Sequence, residues 1–364
     1  LAGLSAALEF TKTRRPGETC LMLDNHPALG GEAKENEFDV NGARLIGPQG
    51  ANGFFIPPAV EEPAQAKGDP RYYAELDIPR EFRLRDWPAD AKPLGFCADN
   101  YGYLVRGMQD ATSVGHFFGN DPEGRGNWAV AMGQRGLANT PLPAASRETL
   151  RRWHGLGATQ DFDSTGPAVN ELDRLSYKQF LEGRLGLGPE AAAYADLFLA
   201  SAAGLGSDAV SAYAAAQLPM PGLFDAPPPD LRRVSFPGGN SGCVRYFLKR
   251  LMPAAIAGED RFEDIITGRI NYPAFDRAGE PLRIRLAATV LSVQHDGPPD
   301  KAQSVELVYL KDGELRGLRA KAVVMATGGW MNRYVVRDLP GEYREAYEQF
   351  QHAPFLVANV ALTN

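Results

Sequence analysis

The sequence contains little cysteine and little histidine. Its 364 residues include three cysteines, far apart at Cys20, Cys97 and Cys243, and five histidines. No CxxC, CxxCH, HxxxH, HExxH or GxSxG pattern occurs, which argues against a cysteine-type zinc site, covalent haem attachment, a metal-dependent hydrolase and a serine hydrolase. We therefore expect no metal site and no disulfide framework.

Long apolar runs and an excess of positive charge are also missing. No apolar run reaches the ~18 residues that a membrane span needs. The formal net charge is −7, whereas a nucleic-acid backbone attracts basic faces. We expect neither a transmembrane segment nor a nucleic-acid partner. The 39 glycines and 28 prolines predict a globular protein with many long connections.

The two ends of the sequence have the features of an internal fragment. LAGLSAALEF starts at Leu1 as a helix already under way, and FLVANVALTN is a strand-like run that stops without a turn. We expect a piece of a longer enzyme. A natural short protein with ragged ends is the alternative.

Residues 1–24 predict the second half of a βαβ unit, a helix followed by a strand over 19–23. In the dinucleotide-binding pattern GxGxxG, the last glycine lets helix and strand pack closely, and an acid about 20 residues later binds ribose. Gly3 and Asp24 stand at this interval. The other two glycines would precede Leu1. An ordinary α/β helix followed by an aspartate is the alternative.

Two glycine-rich stretches follow. HPALGGEAK places Gly30 and Gly31 six residues beyond the aspartate, and RLIGPQGANG supplies Gly47, Gly50 and Gly53. Glycine lets the backbone approach a diphosphate, a flat ring or an anion. A plain glycine-rich turn is the alternative for the second stretch.

The later part of the sequence predicts a strand over RIRLAATVLSVQHDG, a hairpin turning at Asp312-Gly313, and a buried strand KAVVMATGG. This order is typical of the second nucleotide-facing half of glutathione-reductase-like flavoproteins. In that arrangement the backbone at Val290 lies beside adenine, and the turn 326–328 passes near the diphosphate.

These motifs resemble the flavin-containing amine oxidase superfamily, and within it most closely the bacterial spermidine dehydrogenase group and its FAD/NAD(P)-binding relatives. The segments that carry the resemblance are LMLDNHPALGGEAKENEF, RLIGPQGANGF, GLGSDAVSAYAA, SFPGGNSGCVRYFLKRLMP and HAPFLVANVALTN. One position departs from the family: Glu32 follows the glycine pair where ordinary amine oxidases have arginine. Lys34 is the candidate to supply that positive charge.

The expected fold is α/β, with a discontinuous, glutathione-reductase-like Rossmann domain that binds FAD and an α+β substrate domain. Residues 1–60 and 236–335 would form the FAD domain, and 61–235 the substrate domain. Residues 336–364 would begin a further substrate-domain segment. Helices are expected within 176–218 and over 244–257, whereas 60–170 show no sustained helical period.

Motifs and resemblance together assign cofactor contacts to Leu1, Ala2, Gly3, Asp24, Asn25, Gly30, Gly31, Lys34, Gly47, Pro48, Gln49, Gly50, Val290, Ala326, Thr327 and Gly328. The candidate substrate residues are Asn52, Asp208 and Tyr213, with a helix cap as the alternative role of Asp208. No catalytic residue is identified. Candidate aromatic lining residues are Tyr72, Tyr73, Trp87, Tyr101, Tyr103, Phe117 and Phe118, with core packing as the alternative.

The resemblance implies an FAD-dependent oxidoreductase that oxidises a C–H bond next to an amine, in a polyamine such as spermidine, to an imine and then an aldehyde. It also implies an external electron acceptor (a cytochrome or a quinone), haem, and a periplasmic location reached through a twin-arginine signal. His116 is a candidate haem ligand, with an ordinary structural histidine as the alternative. The alternative functions are a desaturase or alcohol dehydrogenase on the same scaffold, or an inactive nucleotide-binding fragment.

Overall fold

A computed structural model gives the fold. It describes residues 1–57, 59, 69–82, 90, 94–95, 115–133, 135–157, 167–218, 220–223, 233–350, 352–353 and 356–363. The chain divides into two compact units. The first unit comprises 1–97, 232–352 and 357–364, and the second comprises 98–231 and 353–356. Trp87, Tyr101 and Tyr103 lie outside the described residues.

The protein is a mixed α/β protein with small sheets. Its helices are α1 (Ala2–Thr13), α2 (Asp69–Glu75), α3 (Ala144–His154), α4 (Pro167–Asp173), α5 (Tyr177–Gln179), α6 (Pro189–Ala203), α7 (Ala212–Gln217), α8 (Ser241–Leu251), α9 (Phe262–Thr267), α10 (Gly329–Val335) and α11 (Gly341–Glu348). Its strands are β1 (Cys20–Leu23), β2 (Glu35–Val40), β3 (Ala43–Pro48), β4 (Phe54–Phe55), β5 (Glu81–Phe82), β6 (Leu94–Gly95), β7 (Gly115–Asn120), β8 (Gly126–Val130), β9 (Arg233–Val234), β10 (Leu282–Arg285), β11 (Thr289–His295), β12 (Val305–Lys311) and β13 (Glu314–Ala320).

The first unit is organised around a parallel pair of strands that are distant in sequence. β1 pairs with β10, from Cys20 opposite Leu282 to Leu23 opposite Arg285. α1 precedes β1, as the sequence predicts, and buries Leu4, Ala7 and Leu8. A Cβ at Gly3 would lie 3.2 Å from the Cε atom of Met22. The small residue therefore lets the helix lie close to the strand.

The meander β11–β12–β13 is confirmed as an antiparallel sheet. Its second turn contains Asp312 and Gly313 at φ 53° and 78°. Both central residues of a type I′ hairpin turn need this left-handed backbone. Along β12 the residues Val305, Leu307 and Tyr309 are buried and those between them are exposed, which gives the sheet one packed face.

Three strand predictions are wrong. Residues 283–297 form two strands, because the amides of Ala287 and Ala288 donate to the carbonyls of His26 and Asp24 and so turn the chain at the end of β1. Residues 356–363 form no strand. The segment 322–327 also forms no strand.

The segment 322–327 has the alternating burial of a strand without strand pairing. Val323 and Met325 pack against the meander core. Val324 is 71% exposed. The sheets of the described chain leave this segment without a neighbouring strand, and they leave β1 with β10 as its single partner. Apolar patterning alone does not make a strand when the backbone has nothing to pair with.

A buried ion pair joins β2 to α8. Arg245 is 2% exposed, and its Nε atom donates to both carboxylate oxygens of Glu35 at 3.1 and 3.2 Å. Its Nη1 atom donates to the carbonyls of Ile265 and Gly268 at 3.2 and 2.8 Å. One guanidinium thus ties the strand to α8 and to the end of α9.

A second, more exposed pair supports the same hairpin. The Nε atom of Arg44 on β3 donates to Glu37 on β2 at 2.9 Å, and Nη1 of Arg44 bonds the carbonyl of Thr267. The hydrogen bond from Arg44 lowers the pKa of the Glu37 carboxyl. Both ends of the β2–β3 hairpin therefore depend on charged contacts.

The second unit is mainly helical. α6 begins with Pro189 at its first turn and ends at Gly204 in the left-handed conformation, φ 68°, as the sequence predicts. Trp153 is fully buried, and its Nε1 atom donates to Tyr177 Oη at 2.9 Å, which donates to the carbonyl of Pro221 at 2.7 Å. This buried chain of hydrogen bonds links α3, α5 and the loop after α7.

The expectation of no sustained helix within 60–170 is wrong at α3. This helix buries Ser146, Leu150 and Trp153. Its other positions are mostly charged or small, so the apolar period is too sparse to be recognised in sequence.

His154 ends α3 in an unusual environment. Neither ring nitrogen has a hydrogen-bond partner within the part of the chain that the structure describes. The ring centroid lies 4.5 Å from that of Trp153 and 5.4 Å from that of Tyr194. Burial, with a smaller contribution from the charge of His116, lowers the pKa of His154 to about 4.

We predict that Arg245→Met destabilises the protein by about 3–5 kcal/mol, because Glu35 would remain buried without its counter-ion. Urea unfolding measures the loss. The control is Arg319→Met, which breaks an ion pair with Glu306 in which the two side chains are 68% and 54% exposed, and it should cost less than about 1 kcal/mol. Equal effects of the two substitutions would contradict the buried role of Arg245.

We predict that acid destabilises the second unit through His154. A folded-state pKa below the ordinary value means that the unfolded chain binds the proton more readily. This stability is therefore complete above about pH 6.5 and falls by about 3 kcal/mol as the pH drops from 6.5 to 4. His154→Phe should lose part of this pH dependence in urea unfolding, and His26→Gln on the exposed surface should not. Parallel pH curves for parent and His154→Phe would refute the prediction.

Candidate functional site

The candidate site lies in the first unit, at the carboxyl end of the β1–β10 pair. Asp24 directly follows β1, and its amide donates to the carbonyl of Arg285 at 3.0 Å. In open α/β sheets, ligands bind outside the carboxyl ends of the strands. Asp24 therefore stands at the end of this strand, as the sequence predicts, and its binding of ribose stays a prediction.

The carboxylate of Asp24 is held by a local turn. Its Oδ1 atom accepts the amide of His26 at 2.9 Å and lies 3.3 Å from Nδ1 of the same ring. Its side chain is 24% exposed, and Oδ2 has no hydrogen-bond partner in the described part of the chain. Asn25 is exposed. One acceptor oxygen thus remains available at the edge of the sheet.

The N-terminus of α1 lies at the same edge. Leu1 occupies the N-cap position without a side-chain hydrogen bond, and no acidic residue stands in the first turn. The amides of Ala2, Gly3 and Leu4 therefore keep the partial positive charge of a helix start. A Cβ at Gly3 would lie 3.2 Å from the Cε atom of Met22, near the end of β1. This packing places the helix start beside the end of the strand.

The first glycine-rich stretch forms a sharp turn. Gly30 has φ 137° and Gly31 φ 58°, and a single 3₁₀ turn, Gly31–Ala33, follows. L side chains rarely adopt these φ values, so the two glycines are needed by the backbone. Lys34 is half-buried, and its side chain makes no ion pair with a residue in the described ranges.

The second glycine-rich stretch lies against the first. The amide of Gln49 donates to the carbonyl of Lys34 at 2.9 Å, and that of Ala51 donates to Glu32 at 2.7 Å. A Cβ at Gly50 would lie 2.7 Å from the Glu32 carbonyl oxygen. The structure therefore brings together two loops that the sequence analysis treats separately.

A third turn completes this group, which we call the glycine-loop cluster (residues 30–34, 47–53 and 237–240). Asn240 donates its amide to Ala51 at 3.1 Å and its side-chain Nδ2 to the carbonyl of Gly53 at 3.2 Å. A Cβ at Gly239 would lie 2.5 Å from the Cβ atom of Pro48. The sequence analysis assigned no site residue here, although consecutive glycines before a helix were visible in SFPGGNSGC.

A fourth contact comes from near the end of the chain. The Nδ2 atom of Asn359 donates to the carbonyl of Pro48 at 2.9 Å. The sequence analysis missed this residue, because an isolated asparagine in an irregular segment carries no sequence signal.

The turn 326–328 lies beside the start of α1 at its first residue. The position of a Cβ at Gly3 lies 3.5 Å from Ala326, so these two predicted residues are neighbours. Thr327 Oγ1 bonds the side chain of Asn332 at 2.5 Å. Gly328 has ordinary extended backbone, φ −61° and ψ 140°, and a Cβ there would collide with the ring of Trp330. A bulky residue at 328 would therefore first displace that ring.

Val290 lies on β11 opposite Tyr309 and packs against the core of the meander. Tyr73 belongs to the core of the first unit, and Tyr72 packs at the margin of that core. Phe117 and Phe118 lie on β7 in the second unit, where Phe117 is 52% exposed. Core packing accounts for Tyr73.

The three candidate substrate residues belong to different units. Asn52, in the first unit, accepts a hydrogen bond at Oδ1 from Ser235 at 2.9 Å. Asp208 and Tyr213 belong to the second unit. Asp208 is exposed, whereas Tyr213 is half-buried against the core of that unit.

The alternative role of Asp208 as a helix cap is wrong. The N-cap of α7 is Ser211, whose hydroxyl accepts the amide of Ala214 at 3.1 Å and donates to Asp173 at 2.8 Å. Residues 206–210 form a separate turn, so the helix starts three residues later than the sequence suggests.

The Oδ1 atoms of Asp208 and Asp196 lie 3.0 and 3.2 Å from the position of a Cβ at Gly206. Two carboxylates therefore converge on this turn.

Within the described ranges no three side chains of His, Cys, Asp or Glu are grouped so that they could hold a metal ion. His116 is half-buried, with its ring centroid 6.1 Å from that of Tyr194. In the same ranges no helix combines the length and the apolar character needed to cross a membrane.

No protein-family model matches this chain, and no curated protein matches it at a significant level.

Proposed function

We propose that the first unit binds FAD at the carboxyl end of the β1–β10 pair. The observation that carries this proposal is that the start of α1, at Leu1 to Gly3, and the carboxylate of Asp24 both lie at the carboxyl end of β1. A helix start attracts the diphosphate, and the carboxylate accepts hydrogen bonds from ribose hydroxyls. The same carboxylate repels a 2′-phosphate, which favours FAD or NAD over NADP.

The residues present fit such a ligand. Oδ2 of Asp24 is an acceptor without a partner in the described part of the chain, and Gly31 is exposed, with open space where a Cβ would stand. Gly3 keeps α1 against β1, so the helix start stays close to the strand end. In this proposal Leu1, Ala2 and Gly3 bind the diphosphate, and Asp24 binds the ribose.

We propose that one further strand belongs between β1 and residues 322–327. In the described chain β1 is paired on one edge only, with β10, and residues 322–327 pair with no strand, whereas Gly3 lies beside Ala326. A parallel strand placed there would pair with both flanks and would carry the first two glycines of the nucleotide pattern. The Rossmann-like architecture in this proposal depends on that strand.

The reaction we propose is oxidation of a C–H bond next to an amine nitrogen. When bound, FAD supplies the acceptor of the hydride and its two electrons. The amine becomes an imine after loss of the hydride and a proton, and water converts the imine to an aldehyde and a smaller amine. The amine substrate rests on the sequence resemblance. Asp208, which lies beside Asp196 in the second unit, is the candidate carboxylate for an ammonium group of a polyamine.

We predict that Asp24→Ala weakens FAD binding by about 1.5–3 kcal/mol, the usual value of hydrogen bonds to a charged acceptor. The variant is made in the full-length protein, and flavin absorbance after dialysis reports retention. Asp24→Asn keeps an oxygen acceptor for the His26 amide, so it separates loss of charge from loss of the turn. His26→Ala should retain flavin. Equal flavin retention by Asp24→Ala and parent would contradict the ribose assignment.

We predict that spermidine reduces the bound flavin without oxygen, and that Asp208→Asn raises KM for spermidine several-fold with flavin content unchanged. Ser211→Ala is the control, because it removes the cap of α7 and leaves the carboxylates in place. Stopped-flow flavin absorbance measures both effects. A yellow parent protein that no amine bleaches would exclude amine oxidation and favour the desaturase or alcohol dehydrogenase alternative.

A further inference from the structure

We propose that Asn359 is a positioning residue, which holds the loop 47–53 in the conformation that binds the cofactor. This inference rests on the proposed FAD site. It names a residue outside the motifs that predicted that site, 311 positions along the chain from Pro48.

The contact between the segment 356–363 and Pro48 is made by the side chain of Asn359. Residues 356–363 have no regular secondary structure, and Leu356 and Val360 are 90% and 77% exposed. Asn359 is half-buried between exposed neighbours, and its Nδ2 atom donates to the carbonyl of Pro48 at 2.9 Å. The segment is therefore attached to the loop through Asn359 rather than through apolar packing.

The loop is shaped to receive that side chain. A Cβ at Gly47 would lie 2.4 Å from Oδ1 of Asn359. The φ of Gly47 lies outside the left-handed region, so its backbone would accept alanine. The glycine at this position is explained by the space that the amide of Asn359 occupies.

The other sides of the loop are already held within the glycine-loop cluster. Lys34 and Glu32 accept the amides of Gln49 and Ala51 on one side, and Asn240 donates to Ala51 on another. Asn359 contacts the end of β3, where the loop begins. Releasing this contact removes one of the restraints on Pro48, whereas the ladder with Glu35 and the rest of the cluster remain. The expected effect therefore falls on ligand binding more than on folding.

The test is a double-mutant cycle in the full-length protein. Asn359→Ala should weaken FAD binding about tenfold through loss of one partly buried hydrogen bond. Gly47→Ala should do the same, because the added methyl group expels the amide of Asn359. The double variant should bind FAD no more weakly than either single variant, since both act on one contact. Val360→Ala, at an exposed neighbouring position, is the control and should bind normally.

Two further measurements separate positioning from general damage. Hydrogen exchange of the apoprotein should accelerate within 47–53 in Asn359→Ala and remain unchanged in α6. The absorption spectrum of flavin that is still bound should shift relative to parent, which a distant stability defect would not cause.

The outcomes are distinct. A parent that binds FAD, with Asn359→Ala binding equally well or with additive effects in the cycle, overturns the positioning role and leaves the proposed function intact. A parent that binds no FAD overturns the proposed function and this inference together. A selective, non-additive loss with faster exchange at 47–53 supports the inference.

Discussion

The ion pair between Arg245 and Glu35 is the contact on which the first unit most depends. Glu35 follows Lys34 directly and stands opposite Pro48 in the β2–β3 ladder, so it lies at the base of both glycine-rich loops. Arg245 belongs to α8, the helix that the turn 237–240 leads into. A Cβ at Gly238 would lie 3.6 Å from the Glu35 carboxylate. One buried pair therefore fixes the three loops of the cluster relative to one another.

This use of charge has a physical rationale. Burying two ions costs free energy that their attraction offsets only when the remaining donors are also satisfied. Arg245 meets this condition, since the carbonyls of Ile265 and Gly268 accept its other protons. An apolar pair of side chains would bury as much surface, but it would not fix how the strand and the helix are oriented relative to each other. The planar guanidinium fixes the strand, the helix and the end of α9 in a single orientation.

The sequence predicted local structure well and long-range association poorly. The helix before β1, the turn at Asp312-Gly313 and the ends of α6 were predictable, because each follows from neighbouring residues and backbone preference. The failure at 322–327 has a different origin: apolar alternation was present, but strand pairing depends on partners elsewhere. The position of Asp24 at the end of β1 could be predicted, and its binding of ribose stays a prediction. The contacts of Asn240 and Asn359 could not be predicted, because they join segments that are distant in the sequence.

The separation of β1 from β10 also has a consequence for synthesis of the chain. At about 5–20 residues per second, a ribosome needs roughly 10–50 s to make the residues between these two strands. During that time the apolar residues of β1 and the buried face of α1 have left the ribosome without their partners. The sequence of the second unit up to residue 231 emerges in the meantime. The order of emergence therefore favours folding of the second unit before the first, and it leaves β1 without its strand partner until Leu282–Arg285 arrive.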